Sequence, residues 1–235
     1  GEATACLSAV VDLASDTAQP SITSTALHQL AVTARILGDL EQSQTLNEQS
    51  VAINREVPGR ASELASMWPR IASALLSIQA GRLEEAERRL LRVTGFLGER
   101  DSYRNYRNSA NIGLGLVELA RGNHPGAKRL LEGALSDPIN LYPYMHVRAL
   151  LGLARIARQE GDAAEADMLL RRALRYAGKR SLLEEYIETV LEIAGQRPTG
   201  APVELLLTRM LAYVGPVNLE AAIHRLENAL HRQIA

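Results

Sequence analysis

The chain has 235 residues, with 26 basic against 27 acidic side chains, and is 46% hydrophobic but only 4% aromatic. A chain of this length removes roughly 70% of its unfolded surface from water on folding, so it needs no staples, and its apolar content excludes a disordered polymer. The formal net charge of -1 argues against a nucleic-acid-binding domain, the single Cys6 excludes an internal disulfide or a cysteine-based zinc site, and no apolar run nears the ~20 residues of a bilayer span.

The chain opens on Gly1 and runs directly into helix-like sequence, with no basic-then-apolar leader. It reads as a cytoplasmic, cofactor-free segment of a longer protein. Residues 1–15 have the pattern of a second helix whose first helix lies upstream, and Cys6 within it is expected to be a small buried apolar group.

The next four stretches, 24–55, 61–96, 102–136 and 141–177, repeat one pattern. In three of them a glycine is followed by alanine after five residues, leucine after four more and a small apolar residue after a further three. The sets are Gly81/Ala86/Leu90/Val93, Gly122/Ala127/Leu131/Ala134 and Gly161/Ala166/Leu170/Ala173. Gly38 and Ser43 begin a weaker copy. The glycines are 43, 41 and 39 residues apart, and each lies between two stripes of helical period, such as Leu150, Leu153, Ala154, Ala157 and Ala166, Leu169, Leu170, Ala173. Glycine stops the first helix because it enters the left-handed region freely, and the alanines let the two helices approach closely. Pro69, Pro125 and Pro143 fall near predicted helix starts, where a missing N–H costs little.

Residues 181–195 form an extra amphipathic helix, the QRPTGAP linker follows, and 203–232 form a terminal pair in which Ala222, Leu226 and Ala229 keep the last three places of the pattern. No strand-like alternation occurs. The fold class is therefore all-α: a solenoid of about five helix-turn-helix units of 39–43 residues, counted as one domain over 1–235.

The order glycine, alanine, aliphatic, alanine in paired helices resembles the tetratricopeptide repeat, and most fully in the unit carrying Leu150, Leu153, Ala154, Gly161, Ala166, Leu170 and Ala173. The resemblance implies a right-handed superhelix. The units are longer than the family's usual one, and Leu or Ala replaces the aromatics of its first helix. Long Ala/Leu/Arg-rich units with GRLEEAERRL-type turns also look like the regulatory region of large bacterial transcription activators, the maltotriose-responsive activator and its LuxR-type relatives. That likeness implies a signal-sensing module whose nucleotide-binding and DNA-reading parts lie elsewhere. No G-x-x-x-x-G-K-[ST] loop is present.

Repeat arrays bind partners on the concave face that their first helices line. Five of the nine aromatics cluster at the starts of three successive first helices: Trp68, then Tyr103 and Tyr106, then Tyr142 and Tyr144. Arg70, Arg107, His146 and Arg148 accompany them, and Arg155 continues the line. Planar rings beside arginine donors suit a sugar, a nucleotide-like anion or a peptide carrying acidic groups. The same rings, packed between neighbouring units, would instead be core. For Arg155 and Arg158 the competing reading is pairing with Glu118 or Glu160. His224 and His231 lie seven apart beside Glu220 and Glu227, but on an exposed terminal helix they read as polar surface and no metal site is assigned. No nucleophile–base arrangement or paired-acid motif stands out, so the chain is read as non-enzymatic. Two functions remain open: a sensor module binding an inducer or protein, and a scaffold binding a peptide or partner protein without small-molecule sensing.

Overall fold

A computed structural model describes residues 2–16, 19–56, 59–98, 101–137, 141–196, 201–214 and 220–234. Among them there is no strand. The chain divides into two compact units, Gly1–Ala120 and Arg121–Ala235.

In the first unit α1 (Glu2–Asp16) packs on α2 (Pro20–Ile36), which pairs with α3 (Leu40–Glu56). A short α4 (Arg60–Ala65) leads into α5 (Met67–Gln79), α5 pairs with α6 (Leu83–Leu97), and a 3-10 turn (Asp101–Tyr103) opens α7 (Arg104–Ala120). The places picked out by the repeat are at the centre of this unit: Ala86, Leu90 and Val93 are fully buried. Close packing needs the small residues. A Cβ added at Gly113 on α7 would lie 2.8 Å from Leu90 Cδ2. The α2–α3 seam is polar instead: Ser24 and Ser50 join through their hydroxyls at 2.8 Å, Asn54 Nδ2 donates to Ser24 Oγ, and Ser43 Oγ donates to the Ala31 carbonyl at 2.7 Å.

The second unit holds α8 (His124–Leu135), α9 (Pro143–Gln159), α10 (Ala163–Lys179), α11 (Leu183–Gln196), α12 (Ala201–Val214) and α13 (Glu220–Ile234). Its first part buries Leu131, Leu150, Ala154, Leu170 and Ala173. Its last three helices close over Ile187, Val190, Leu207, Met210 and Leu226, so the apolar ELLLTRMLAYV stretch is covered by α11 and α13 on one side while Leu205 stays exposed.

The turns explain the repeat. At Gly161 the backbone takes φ +85, its N–H bonds the Arg158 carbonyl, and the Asp162 N–H reaches back to Ala157. These two bonds satisfy carbonyls that the helix end leaves open. The same pair of bonds closes α2 at Gly38 and α5 at Gly81. Asp162 then caps α10 by accepting from the Glu165 N–H at 2.9 Å. The turn from α10 to α11 repeats the geometry with Ser181 at φ 54 in place of glycine.

Three expectations need correcting or completing. The 61–96 pair, whose first helix is expected to start near Trp68, opens with a separate short α4 that is parted from α5 at Ser66. Pro69, the third residue of α5, has no N–H for the helical bond across that break. Cys6 is exposed, because α1 turns its Leu7 and Val11 side inward and leaves Cys6, Val10 and Leu13 on the outer side. Pro58, Pro138 and residues 197–200 of the linker lie outside the described residues.

Candidate functional site

Five of the predicted site residues belong to the first unit and five to the second. In the first unit α5 and α7 bring Trp68 and Tyr106 together, ring centroids 5.4 Å apart at 45° and both half-buried. The tilted arrangement suits two ring quadrupoles. Tyr103, on the 3-10 turn, carries the Arg60 guanidinium 5.4 Å over its ring. Arg107 turns back to donate to the Gly98 carbonyl at 2.7 Å, where a cation suits the negative end of α6. Arg70 is 3% exposed, and its Nη1 donates to Glu63 Oε2 at 2.8 Å. Burial pushes its pKa below the ordinary arginine value; the Glu63 bond opposes this, and Arg92 and Arg55 add to it.

In the second unit Tyr142 stands immediately before α9, and its ring lies 6.4 Å from that of Tyr144. His146 is buried and stacks on Tyr176 of α10, centroids 4.2 Å apart and planes at 11°. Burial, then the Arg172 and Arg180 charges, hold its imidazole below the usual histidine range, so it is a neutral ring in a stack. Arg148 lies 3.8 Å from Glu184 and 3.9 Å from Glu185 on α11. Arg155 reaches Glu192 on the same helix with two nitrogens, rather than the Glu118 or Glu160 expected from sequence. From the far side Arg225 of α13 donates to Glu188 at 2.6 Å, and that bond raises the arginine's pKa.

The basic line expected along the first helices is thus countered in the second unit by an acidic row on α11, Glu184, Glu185, Glu188 and Glu192. Sequence reasoning passed over that row and over Glu63 and Tyr176. The signal was present: Arg148 to Glu185, Arg155 to Glu192 and Glu188 to Arg225 all share the same offset of 37 residues. His28, left without a partner by sequence, meets Asn47 Oδ1 at 2.8 Å. His224 meets Asn228 at 2.9 Å, and among the described residues no three His, Cys, Asp or Glu side chains are placed to hold a metal ion. A shallow cleft of about 40 Å³ lies in the second unit, bordered by Lys128, Glu132, Glu160 and Glu165, and none of the ten predicted residues lines it. No described helix is long and apolar enough to cross a membrane.

Residues 23–62 and 109–132 match the tetratricopeptide repeat. The matched stretches are the Gly38 and Gly122 units. The Gly161 unit, in which the residue pattern is most complete, lies outside both. Among solved structures the chain is similar to the Rap conjugation gene regulator of plasmid pLS20 in complex with the Phr* peptide, at TM-score 0.64 and 13% identity over 95% of this chain and 72% of that one. It is also similar to the apo form of RapI, at 0.59 and 12% over 90% and 81%, and to BtubC from P. vanneervenii, at 0.55 and 15% over 99% and 88%. No curated protein matches the sequence. At these identities the likeness is one of fold, and it establishes a tetratricopeptide-like helical array.

Proposed function

We propose that this chain is a non-catalytic, cytoplasmic regulatory module that receives a peptide or protein partner on its first helices, through Trp68, Arg70, Tyr103, Tyr106 and Arg107 in one unit and Tyr142, Tyr144, His146, Arg148 and Arg155 in the other. The observation that carries this reading is the half-buried Trp68–Tyr106 pair, whose rings are fixed against each other yet still reach solvent. Rigid aromatics that keep an open edge, beside arginine donors, are what partner surfaces use as anchors. A Rap regulator of the same fold is held in complex with a peptide, which supports the peptide as occupant over the small-molecule inducer. The GRLEEAERRL-type turns support placing the module within a signal-responsive bacterial transcription regulator, where partner binding shifts the population between two arrangements.

The test uses the full chain. Peptides are selected on it from a random displayed library, and their binding is measured again on Tyr106→Ala and Arg148→Ala after circular dichroism has shown both variants folded. Binding lost by tenfold or more in either variant is the expected result. A library that yields no binder, or binders indifferent to both substitutions, would remove the reading. A metabolite screen by thermal shift separates the inducer version, since a ligand bound to the folded state raises Tm.

A further inference from the structure

The break at Ser66 leaves α4 as a turn and a half. None of its residues is fully buried, but Leu64 and Ala65 are half-buried and the helix rests against α2, α3 and α5. Polar tethers from neighbouring elements add to this packing. Glu63 sets Oε2 at 2.8 Å from Arg70 of α5 and Oε1 at 3.8 Å from Arg92 of α6, while Arg60 lies over the Tyr103 ring. One carboxylate therefore bridges two guanidiniums, one oxygen to each.

Among the described residues the charges that act on Arg70 are the Glu63 carboxylate, which favours its cation, and the Arg92 and Arg55 guanidiniums, which oppose it. Arg70 is 3% exposed, and its Nη2 has no hydrogen-bond partner. A buried guanidinium is stable when its donors are satisfied, and one carboxylate leaves this one short.

We infer that Arg70 and Arg92 form the anchor for an acidic side chain of a peptide partner, and that Glu63 holds that place until the peptide's carboxylate displaces it and α4 moves aside. The inference rests on the partner-binding reading above and names the chemistry of the partner. A planar two-oxygen group is already seated there, one oxygen on each arginine, so the site is matched in shape to a carboxylate. Displacement uncovers the half-buried Leu64 and Ala65 but no fully buried residue of α4, because α4 has none.

The probe is a fluorescein-labelled deca-glutamate, with deca-glutamine as control, titrated into the full chain and followed by anisotropy. Glu63→Gln removes the internal competitor's charge, and binding of deca-glutamate should tighten by about tenfold, the scale of one charge-assisted contact. Adding Arg70→Met or Arg92→Gln to Glu63→Gln should abolish the gain. Arg92 is exposed, so its variant carries the test if Arg70→Met unfolds. Unchanged or weaker deca-glutamate binding in Glu63→Gln overturns the inference, and so does a gain that survives loss of Arg92. If library-selected peptides depend on Tyr106 or Arg148 but deca-glutamate ignores Glu63, this inference falls and the proposed function stands. If neither probe binds, both fall.

Discussion

Arg155 on α9 and Glu192 on α11 meet at two points: Nε and Nη2 of the arginine lie 2.9 and 2.7 Å from one carboxylate oxygen. Seven residues earlier Arg148 faces Glu185 in the same sense. The two rungs pin one first helix to the next, and the energy of each is set by its exposure. The Arg155 side chain is 45% exposed, so solvent screens the pair.

A double-mutant cycle on Arg155→Ala and Glu192→Ala should therefore give a coupling energy below about 1 kcal/mol in urea unfolding. A coupling above about 2 kcal/mol would mean that the pair is shielded far more than its exposure indicates.

Helix stops offer a sharper test, because one position breaks the rule that the others follow. Ser181 carries a side chain at φ 54, where an L residue is disfavoured by roughly 1–2 kcal/mol. Part of that is offset by the chain entropy that glycine loses. Ser181→Gly should thus raise stability by about 0.5–1 kcal/mol and Tm by roughly 1–4 °C for a chain of this size. Gly161→Ala, at φ +85, should lower stability by about 1 kcal/mol. Both are read in one melting series.

Packing at the α6–α7 crossing should respond to a single methyl group. Alanine at Gly113 would put a Cβ 2.8 Å from the Cδ2 of Leu90, which is fully buried, so the leucine side chain must shift within a packed core. The better helix propensity of alanine, about 1 kcal/mol, is outweighed by overpacking of about 1–3 kcal/mol. Gly113→Ala should therefore be less stable than the parent. Leu90→Val in that background should recover part of the loss, giving non-additivity in the cycle.

Two histidines, half-buried His28 and buried His146, set a pH dependence whose sign is fixed. Desolvation lowers the pKa of His28 and of His146 from the ordinary 6.5. The unfolded chain then takes up their protons first, so stability is greatest above about 6.5 and falls as pH drops toward the lowered folded values. Unfolding free energy should decline between pH 7 and 5, and the decline should be shallower in a His28→Gln/His146→Phe variant. A variant with the parent's slope would show that other groups set it.

The spacing of Gly38, Gly81, Gly122 and Gly161 was enough to place the helix stops, since each stop follows from one residue's backbone freedom. The core places Ala86, Leu90, Ala127, Leu131, Ala166 and Leu170 followed from helical period and are all buried. The break at Ser66 did not follow, because Pro69 is tolerated equally near a helix start and after a short preceding turn. The partners of the candidate arginines did not follow either. Helical period reports which residues share a face, whereas Arg70–Glu63 and Arg155–Glu192 depend on which element lies opposite. His146 illustrates the difference: its place at the start of a first helix was readable, but its stacking on Tyr176 belongs to the packing of α9 on α10.

The constant offset between Arg148 and Glu185, Arg155 and Glu192, and Glu188 and Arg225 makes α11 behave as a ruler. A loop on either side of it can lengthen without consequence, because slack outside the helix leaves its marks where they are. A single residue inserted between Glu185 and Glu192 would turn one mark about 100° away from the other. The helix could then keep Arg148 or Arg155, and never both, so tolerance to change in this part of the chain is a matter of count before it is a matter of chemistry.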